Sequence, residues 1–186
     1  MATKIEPLTT VGDLEAMPED GNRYEVIEGE LFVSRAPGLT HQQVSTNILV
    51  YIRHFLDKHP IGKVFPTPGL ILSEFSGIIP DIVFFRNERR EEIVTGERLT
   101  GAPDLVIEIL SPGVENIRRD RVAKRQLYGK HGVAESWLVN PEKRDLEVYR
   151  LSKGSLDLVA RWKEDDELSS PLLPGFTCAI ADIFKQ

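Results

Sequence analysis

Apolar residues alternate with polar ones early in the chain and recur at helical spacing soon afterwards. The segment 22–37 alternates on both sides of Glu28–Gly29, which predicts a β-hairpin with its turn at those two residues. The segment 40–59 predicts an amphipathic helix, with Thr40 as its N-cap and Pro60 ending it. The apolar residues at helical spacing in it are Val44, Ile48, Ile52, Phe55 and Leu56.

The middle of the chain is rich in predicted strands, which occupy the segments 63–74, 78–85, 103–110 and 133–140. The length and aliphatic content of the run 103–110 are typical of a strand buried on both faces. A basic segment before the last run predicts a helix, which begins at Ser111–Pro112 or at Asn116 and ends at Gly129 or Gly132.

The last third of the chain predicts a second hairpin, because the segment 145–162 alternates on both sides of Lys153–Gly154. The order helix, three strands, helix, strand predicts an α/β (α+β) fold. Its core is a mixed β-sheet flanked by helices, with one hairpin near each end. No internal repeat or linker interrupts the pattern, so we expect a single domain over residues 1–186.

Composition narrows the class of protein. The 186 residues are 41% hydrophobic and 28% charged, which is typical of a globular protein. No run of about 18 apolar residues predicts a membrane-spanning helix, and the first residues lack the apolar stretch of a secretory signal. Cys178 is the single cysteine, so a disulfide and a cysteine-rich zinc site are excluded and a cytoplasmic location is expected.

The charge is unevenly distributed along the chain. The net charge of −6 argues mildly against nucleic-acid binding, yet the segment 118–130 carries one acid, Asp120, among six basic residues. At 100° per residue, most of these basic side chains point away from the apolar face of the helix. The candidates for contact with a phosphate backbone are Arg118, Arg119, Arg121, Arg125 and Lys130.

Two carboxylates in apolar surroundings are the main candidates for chemistry. Glu108 lies inside the aliphatic run 105–110, where a charge is costly unless it is paired, protonated or bound to a cation. Asp81 follows Pro80 at the start of another buried run. Two such carboxylates on adjacent strands can hold Mg²⁺ or Mn²⁺. The structural alternative for Glu108 is a buried ion pair. The structural alternative for Asp81 is that Pro-Asp simply begins a strand, and the same dipeptide occurs again at Pro103–Asp104.

Lys124 differs from the other basic residues of its helix because it shares the inward face with Asp120, Leu127 and Tyr128. The alternative is a simple i,i+4 pair with Asp120. His41 lies in the first turn of the long helix, on its apolar face, and Glu25 lies in the first hairpin. These two are possible auxiliary residues, although a core histidine and an exposed strand residue are the commoner roles.

These residues together resemble the PD-(D/E)XK nuclease superfamily, and more closely a bacterial family of proposed restriction endonucleases, formerly a domain of unknown function. The resemblance covers nearly the whole chain. It is carried by RYEVIEGELF (23–32), PDIVFF (80–85), PDLVIEILSP (103–112), the segment 118–142 and SPLLPGF (170–176).

The resemblance implies roles for individual residues. Asp81 and Glu108 correspond to the acidic motif residues, but Leu110 stands where the superfamily has lysine, which assigns that role to Lys124. The family also suggests auxiliary roles for Glu25, His41, Asp120 and Tyr128.

The expected activity is that of a divalent-metal-dependent endonuclease that hydrolyses phosphodiester bonds in DNA. Asp81, Glu108 and the backbone carbonyl of Ile109 would bind Mg²⁺ or Mn²⁺, and Lys124 would assist the attacking water. The alternatives are a catalytically silent binding or regulatory module with the same fold, or an enzyme acting on RNA or another phosphate compound. A homodimer is expected because a duplex needs two cuts.

Overall fold

The computed structural model describes residues 8–113, 116 and 118–186. The described residues contain two six-stranded sheets, and the one with the longer strands is called the larger sheet. The strand order of the larger sheet is β12-β11-β10-β9-β6-β3. The strands are β3 (Gly62–Pro66), β6 (Ile82–Arg86), β9 (Leu105–Ile109), β10 (Glu135–Asn140), β11 (Asp145–Ser152) and β12 (Ser155–Lys163). Strands β9 and β10 are parallel and the other neighbouring pairs are antiparallel, so the sheet is mixed as the pattern predicts.

A second six-stranded sheet has the order β2-β1-β5-β4-β8-β7. Its strands are β1 (Arg23–Ile27), β2 (Glu30–Ser34), β4 (Leu70–Ser73), β5 (Ser76–Ile78), β7 (Val94–Thr95) and β8 (Arg98–Leu99). A two-stranded ladder, β13 (Glu167–Ser169) with β14 (Thr177–Ala179), lies near the end of the chain.

The helices are α1 (Leu39–Lys58), α2 (Arg90–Ile93), α3 (Arg125–His131) and α4 (Ile180–Ile183). Two short 3-10 helices span Gly12–Ala16 and Asn87–Arg89, and a π-helical segment over Arg119–Lys124 leads directly into α3. None of the helices in the described part of the chain is long and apolar enough to span a membrane.

The larger sheet separates two hydrophobic clusters, as its alternating side chains require. On β9, Leu105, Ile107 and Ile109 belong to the cluster that contains the buried face of α1. Val106, together with Leu110 just after the strand, belongs to the other cluster, which the second sheet and α3 complete. Glu108 shares the parity of these two residues, so its side chain faces the second sheet and α3.

Both predicted hairpins are confirmed. Glu28 and Gly29 have φ of 52° and 82°, and Lys153 and Gly154 have φ of 49° and 82°. Positive φ at both central residues is the requirement of a type I′ turn, which matches the twist of the flanking strands. The long helix is also confirmed, but its N-cap is Gly38 rather than Thr40.

Candidate active site

Strand register brings the two predicted carboxylates together. In the antiparallel pair β6–β9, Ile82 lies opposite Ile107 and Val83 opposite Val106. One further step in the same register sets Asp81 opposite Glu108, and the pleat directs both side chains to the same face. Asp81 is 6% exposed and Glu108 is 3% exposed.

The side chain of Asp81 is held by its neighbours. His41 Nε2 lies 3.1 Å from its Oδ2, and the amide of Ile109 donates a hydrogen bond of 2.8 Å to the same oxygen. Arg23 lies 3.9 Å from Oδ1. Burial opposes the charge, but the hydrogen bond with His41 and the nearby cations hold the pKa of Asp81 below its ordinary value of 3.8. Asp81 is therefore an ionised, oriented carboxylate.

Lys124 lies within a cluster of acids. Its Nζ is 2.8 Å from Glu25 Oε1, 3.3 Å from Glu108 and 3.8 Å from Asp120 Oδ1. The side chain is 2% exposed. Burial disfavours its charge, but the surrounding carboxylates outweigh burial and raise the pKa of Lys124 above its ordinary value. The inward orientation inferred from helical spacing is thus observed, and the contacts extend well beyond the i,i+4 neighbour.

Glu108 receives hydrogen bonds from Lys124 and from the hydroxyl of Tyr128. Burial raises the pKa of Glu108 to about 8, because the charge of Lys124 offsets only part of the effect and the other acids oppose ionisation. A carboxyl group in this state gains from an additional cation, which is the property expected of a metal ligand.

The orientation predicted for Arg119 is wrong. Its guanidinium group is buried, donates hydrogen bonds of 2.8 and 3.2 Å to Asp120, and lies 3.7 Å from Glu25 Oε2. The physical reason is the π-helical segment, whose turns contain more residues than α-helical turns. The angle between successive side chains is therefore below 100°. The side-chain directions predicted at 100° per residue then no longer apply to Arg119.

The remaining residues of the predicted basic surface interact with groups of the protein itself. Arg121 lies 2.7 Å from Glu147, Lys130 lies 2.7 Å from Glu28, and Arg118 lies 3.4 Å from Glu30. The guanidinium group of Arg125 lies over the Tyr149 ring at 5.2 Å. A phosphate at this surface would compete with these partners.

A cavity of about 390 Å³ is lined by most of the charged residues described above. The predicted residues that line it are Glu25, His41, Asp81, Glu108, Ile109, Arg119 and Lys124. Asp120 and Tyr128 touch these groups without lining the cavity. Arg23 also lines the cavity but was not among the predicted residues. Strand alternation could have found this residue, because Arg23 and Glu25 are two positions apart and share a face.

The carboxylate oxygens in the cavity are suitable ligands for a hard divalent cation. Among the described residues, no three His, Cys, Asp or Glu side chains form a group arranged to hold a metal ion. Mg²⁺ needs only one or two carboxylates and retains several waters. The adjacent pair Asp81 and Glu108 meets that requirement, and the cavity volume leaves room for the waters.

Comparisons with known proteins decide the family. The model of the family Uma2, described as "Putative restriction endonuclease", matches residues 11–181. The chain belongs to the Uma2 family. This membership supports a nuclease function and confirms the family resemblance inferred from the motifs.

The solved structures include a similar chain from Anabaena variabilis ATCC 29413, described as "a putative nuclease belonging to DUF820". The two chains share 22% sequence identity over 95% of this chain and 97% of that one, with a TM-score of 0.76. The likeness shows that the fold is nuclease-like, which confirms the predicted fold class. No curated protein matches the sequence.

The chain has Leu110 where the PD-(D/E)XK motif has lysine, and the structure shows the surroundings of this leucine. Its side chain is buried in the second hydrophobic cluster, and its amide donates to Val139 O at 2.9 Å. A lysine at this position would lose that apolar packing. The ammonium group beside Glu108 comes instead from Lys124, at the end of the π-helical segment.

Proposed function

We propose that the protein is a divalent-metal-dependent endonuclease that hydrolyses phosphodiester bonds in DNA. The observation that carries the proposal is the meeting of Asp81, Glu108 and Lys124 in one cavity, with the two carboxylates on adjacent strands. Membership of the Uma2 family supports it at the level of nuclease chemistry.

In this mechanism, Asp81 and Glu108 would hold Mg²⁺ or Mn²⁺, with the backbone carbonyl of Ile109 as a further ligand. The bound ion would act as a Lewis acid on the phosphoryl group and would favour ionisation of water. His41 and the Ile109 amide keep Asp81 oriented, and Tyr128 orients Glu108.

Lys124 would donate hydrogen bonds to the attacking water and to the phosphoryl oxygens. Its raised pKa keeps the ammonium group charged, so it stabilises the negative charge that develops in the transition state. Arg119 and Arg23 line the same cavity and already lie beside acids there, so either would contact a phosphate by sharing it with Asp120, Glu25 or Asp81.

A catalytically silent nucleic-acid-binding module is the second candidate. It is favoured by Leu110 at the motif position and by the engagement of Lys124 with three acids. This candidate predicts binding without cleavage.

The test is cleavage of supercoiled plasmid with and without Mg²⁺ or Mn²⁺, beside two matched variants. Asp81→Asn should abolish metal-dependent nicking. Asp104→Asn is the control, because Asp104 also follows proline at a buried strand but pairs with Arg86 and Arg89 outside the cavity. After correction for the folded fraction, Asp104→Asn should retain activity.

Cleavage that persists in Asp81→Asn would refute the assignment of the site. Absence of cleavage by the unaltered protein, together with metal-independent binding of DNA, would favour the silent module. Single-stranded DNA and RNA tested in parallel would establish the substrate class.

A further inference from the structure

A second cavity adjoins the proposed active site. Its volume is about 330 Å³, within the range of about 300–1,000 Å³ typical of ligand pockets. It shares Gly38, His41, Ser111 and Pro112 with the first cavity, so the two cavities are neighbours and are together called the cleft. The residues that line it include Leu39, Leu110, Pro112 and Pro141, together with the polar residues Asn140 and Glu142. Leu39 is 88% exposed, although it is a large hydrophobic residue.

Helix α1 begins at the boundary between the two cavities. Its N-cap is Gly38, which provides no side-chain hydrogen bond, and its first turn contains no acidic residue. The first amides of a helix lack intrahelical partners and carry a partial positive charge. In this 20-residue helix, the amides of Leu39, Thr40 and His41 can therefore receive an anion at the cleft.

The side chain of His41 gives an independent indication of a binding position. His41 is 9% exposed, lines both cavities, and its Nδ1 is buried with no hydrogen-bond partner. Its Nε2 is already engaged by Asp81. Buried polar atoms of proteins are nearly always satisfied, so a water or a polar group of a bound molecule is expected beside Nδ1 at this junction.

We propose that the second cavity is a nucleotide subsite next to the scissile phosphate. The adjacent backbone phosphate binds at the start of α1, and its sugar or base packs against Leu39 and Pro141. A nucleotide combines an anion with a flat apolar group, which is the combination that this end of the cleft accepts. The inference rests on the proposed function in taking a nucleic acid as the substrate.

The test replaces Gly38 with two residues of the same shape and different charge. Gly38 has φ −73° and ψ 170°, and a Cβ at this position would meet no atom within 4 Å, so either side chain is accommodated. Asp and Asn are both good N-caps, so Gly38→Asp and Gly38→Asn should preserve or raise the melting temperature. Only Gly38→Asp places a negative charge where the phosphate binds.

The measurement is the Kd of a fluorescein-labelled DNA duplex without divalent metal, by fluorescence anisotropy over a range of salt concentrations. The Kd of Gly38→Asp should exceed that of Gly38→Asn by about tenfold, and both should exceed that of the unaltered protein, because either cap accepts from the α1 amides that the phosphate needs. The slope of log Kd against log salt should be lower in Gly38→Asp, because the added charge repels one phosphate. Kd values and slopes in both variants equal to those of the unaltered protein would overturn the subsite.

The result separates the two proposals. If the unaltered protein cleaves DNA while both variants bind DNA as tightly as it does, the nuclease assignment stands and the subsite is refuted. If it binds without cleaving and Gly38→Asp alone loses affinity, the subsite stands and hydrolysis is refuted. No binding of DNA by the unaltered protein overturns the subsite directly.

Discussion

Lys124 controls the charge balance of the cavity. Three carboxylates lie within 4 Å of its ammonium group, and all of these side chains are buried. Burying charges costs several kcal/mol per ion, and such a cluster is seldom more stable than an apolar core of the same volume. Stability therefore does not explain the cluster, whereas a site that must hold a cation and a phosphate does.

We expect Lys124→Met to abolish cleavage and to lower the free energy of unfolding by about 3–5 kcal/mol, because it leaves buried acids without their counter-ion. Mg²⁺ should restore part of this stability in the variant by binding the uncompensated carboxylates. Urea denaturation with and without Mg²⁺ measures both effects. A variant as stable as the unaltered protein would contradict the described cluster.

The residues of the site differ in how far their position could be predicted. A carboxylate inside an aliphatic run predicts burial of Glu108, and helical spacing predicts the inward direction of Lys124. Arg119 could not be placed in this way, because spacing assumes a regular α-helix and the π-helical segment changes the phase. Arg23 was missed because alternation connects it only to Glu25, and Glu25 was itself expected to be an exposed strand residue.

At the scale of elements, Glu147 joins strands β11 and β12 to the π-helical segment. It is buried on β11 and binds Arg161 of β12, Arg121 of the π-helical segment and the hydroxyl of Tyr149. Arg121 lies three residues before Lys124, so this contact helps to keep the helix against the larger sheet. Burial opposes the charge, but these hydrogen bonds and cations lower the pKa of Glu147 below its ordinary value of 4.5.

Glu147→Gln should lower the free energy of unfolding at neutral pH by about 2 kcal/mol, the value of charged hydrogen bonds. A lowered pKa means that this stability is present above 4.5 and is lost as pH falls through the folded-state pKa. The difference between variant and unaltered protein should therefore shrink in acid. Urea midpoints measured from neutral to acidic pH test this, and a difference independent of pH would contradict it.

The elements themselves were predicted where they are long. The hairpins, α1 and the central strands follow from periodicity because each buries a regular face. The second sheet was not predicted as a sheet, since β5, β7 and β8 have only two or three residues each and the β4–β5 register shifts near Ile71. Such short strands are stabilised by their neighbours and leave no periodic signal of their own.

At the scale of the whole molecule, the distribution of charge separates two possible surfaces for DNA. The net charge is −6, and the basic residues predicted to contact phosphate mostly lie beside acids of the same chain. The cations in the cleft, Arg23, Arg119 and Lys124, also lie beside acids, but these acids include the candidate metal ligands Asp81 and Glu108. A bound divalent cation would offset those carboxylates and leave the cleft cations to a phosphate, and local positive charge of this kind can bind a polyanion even in an acidic protein.

We therefore expect Arg23→Gln to raise the Kd for a DNA duplex by about threefold to tenfold, with a salt slope lower by about 0.9. Lys130→Gln should change the Kd by less than about twofold, because Lys130 already lies 2.7 Å from Glu28 and would release one partner to bind another. Fluorescence anisotropy at several salt concentrations compares the two variants directly. The opposite order of effects would place the DNA on the outer face of α3, as the helical wheel suggested. A larger effect of Arg23→Gln would place the DNA in the cleft, where the strand register sets Asp81 opposite Glu108.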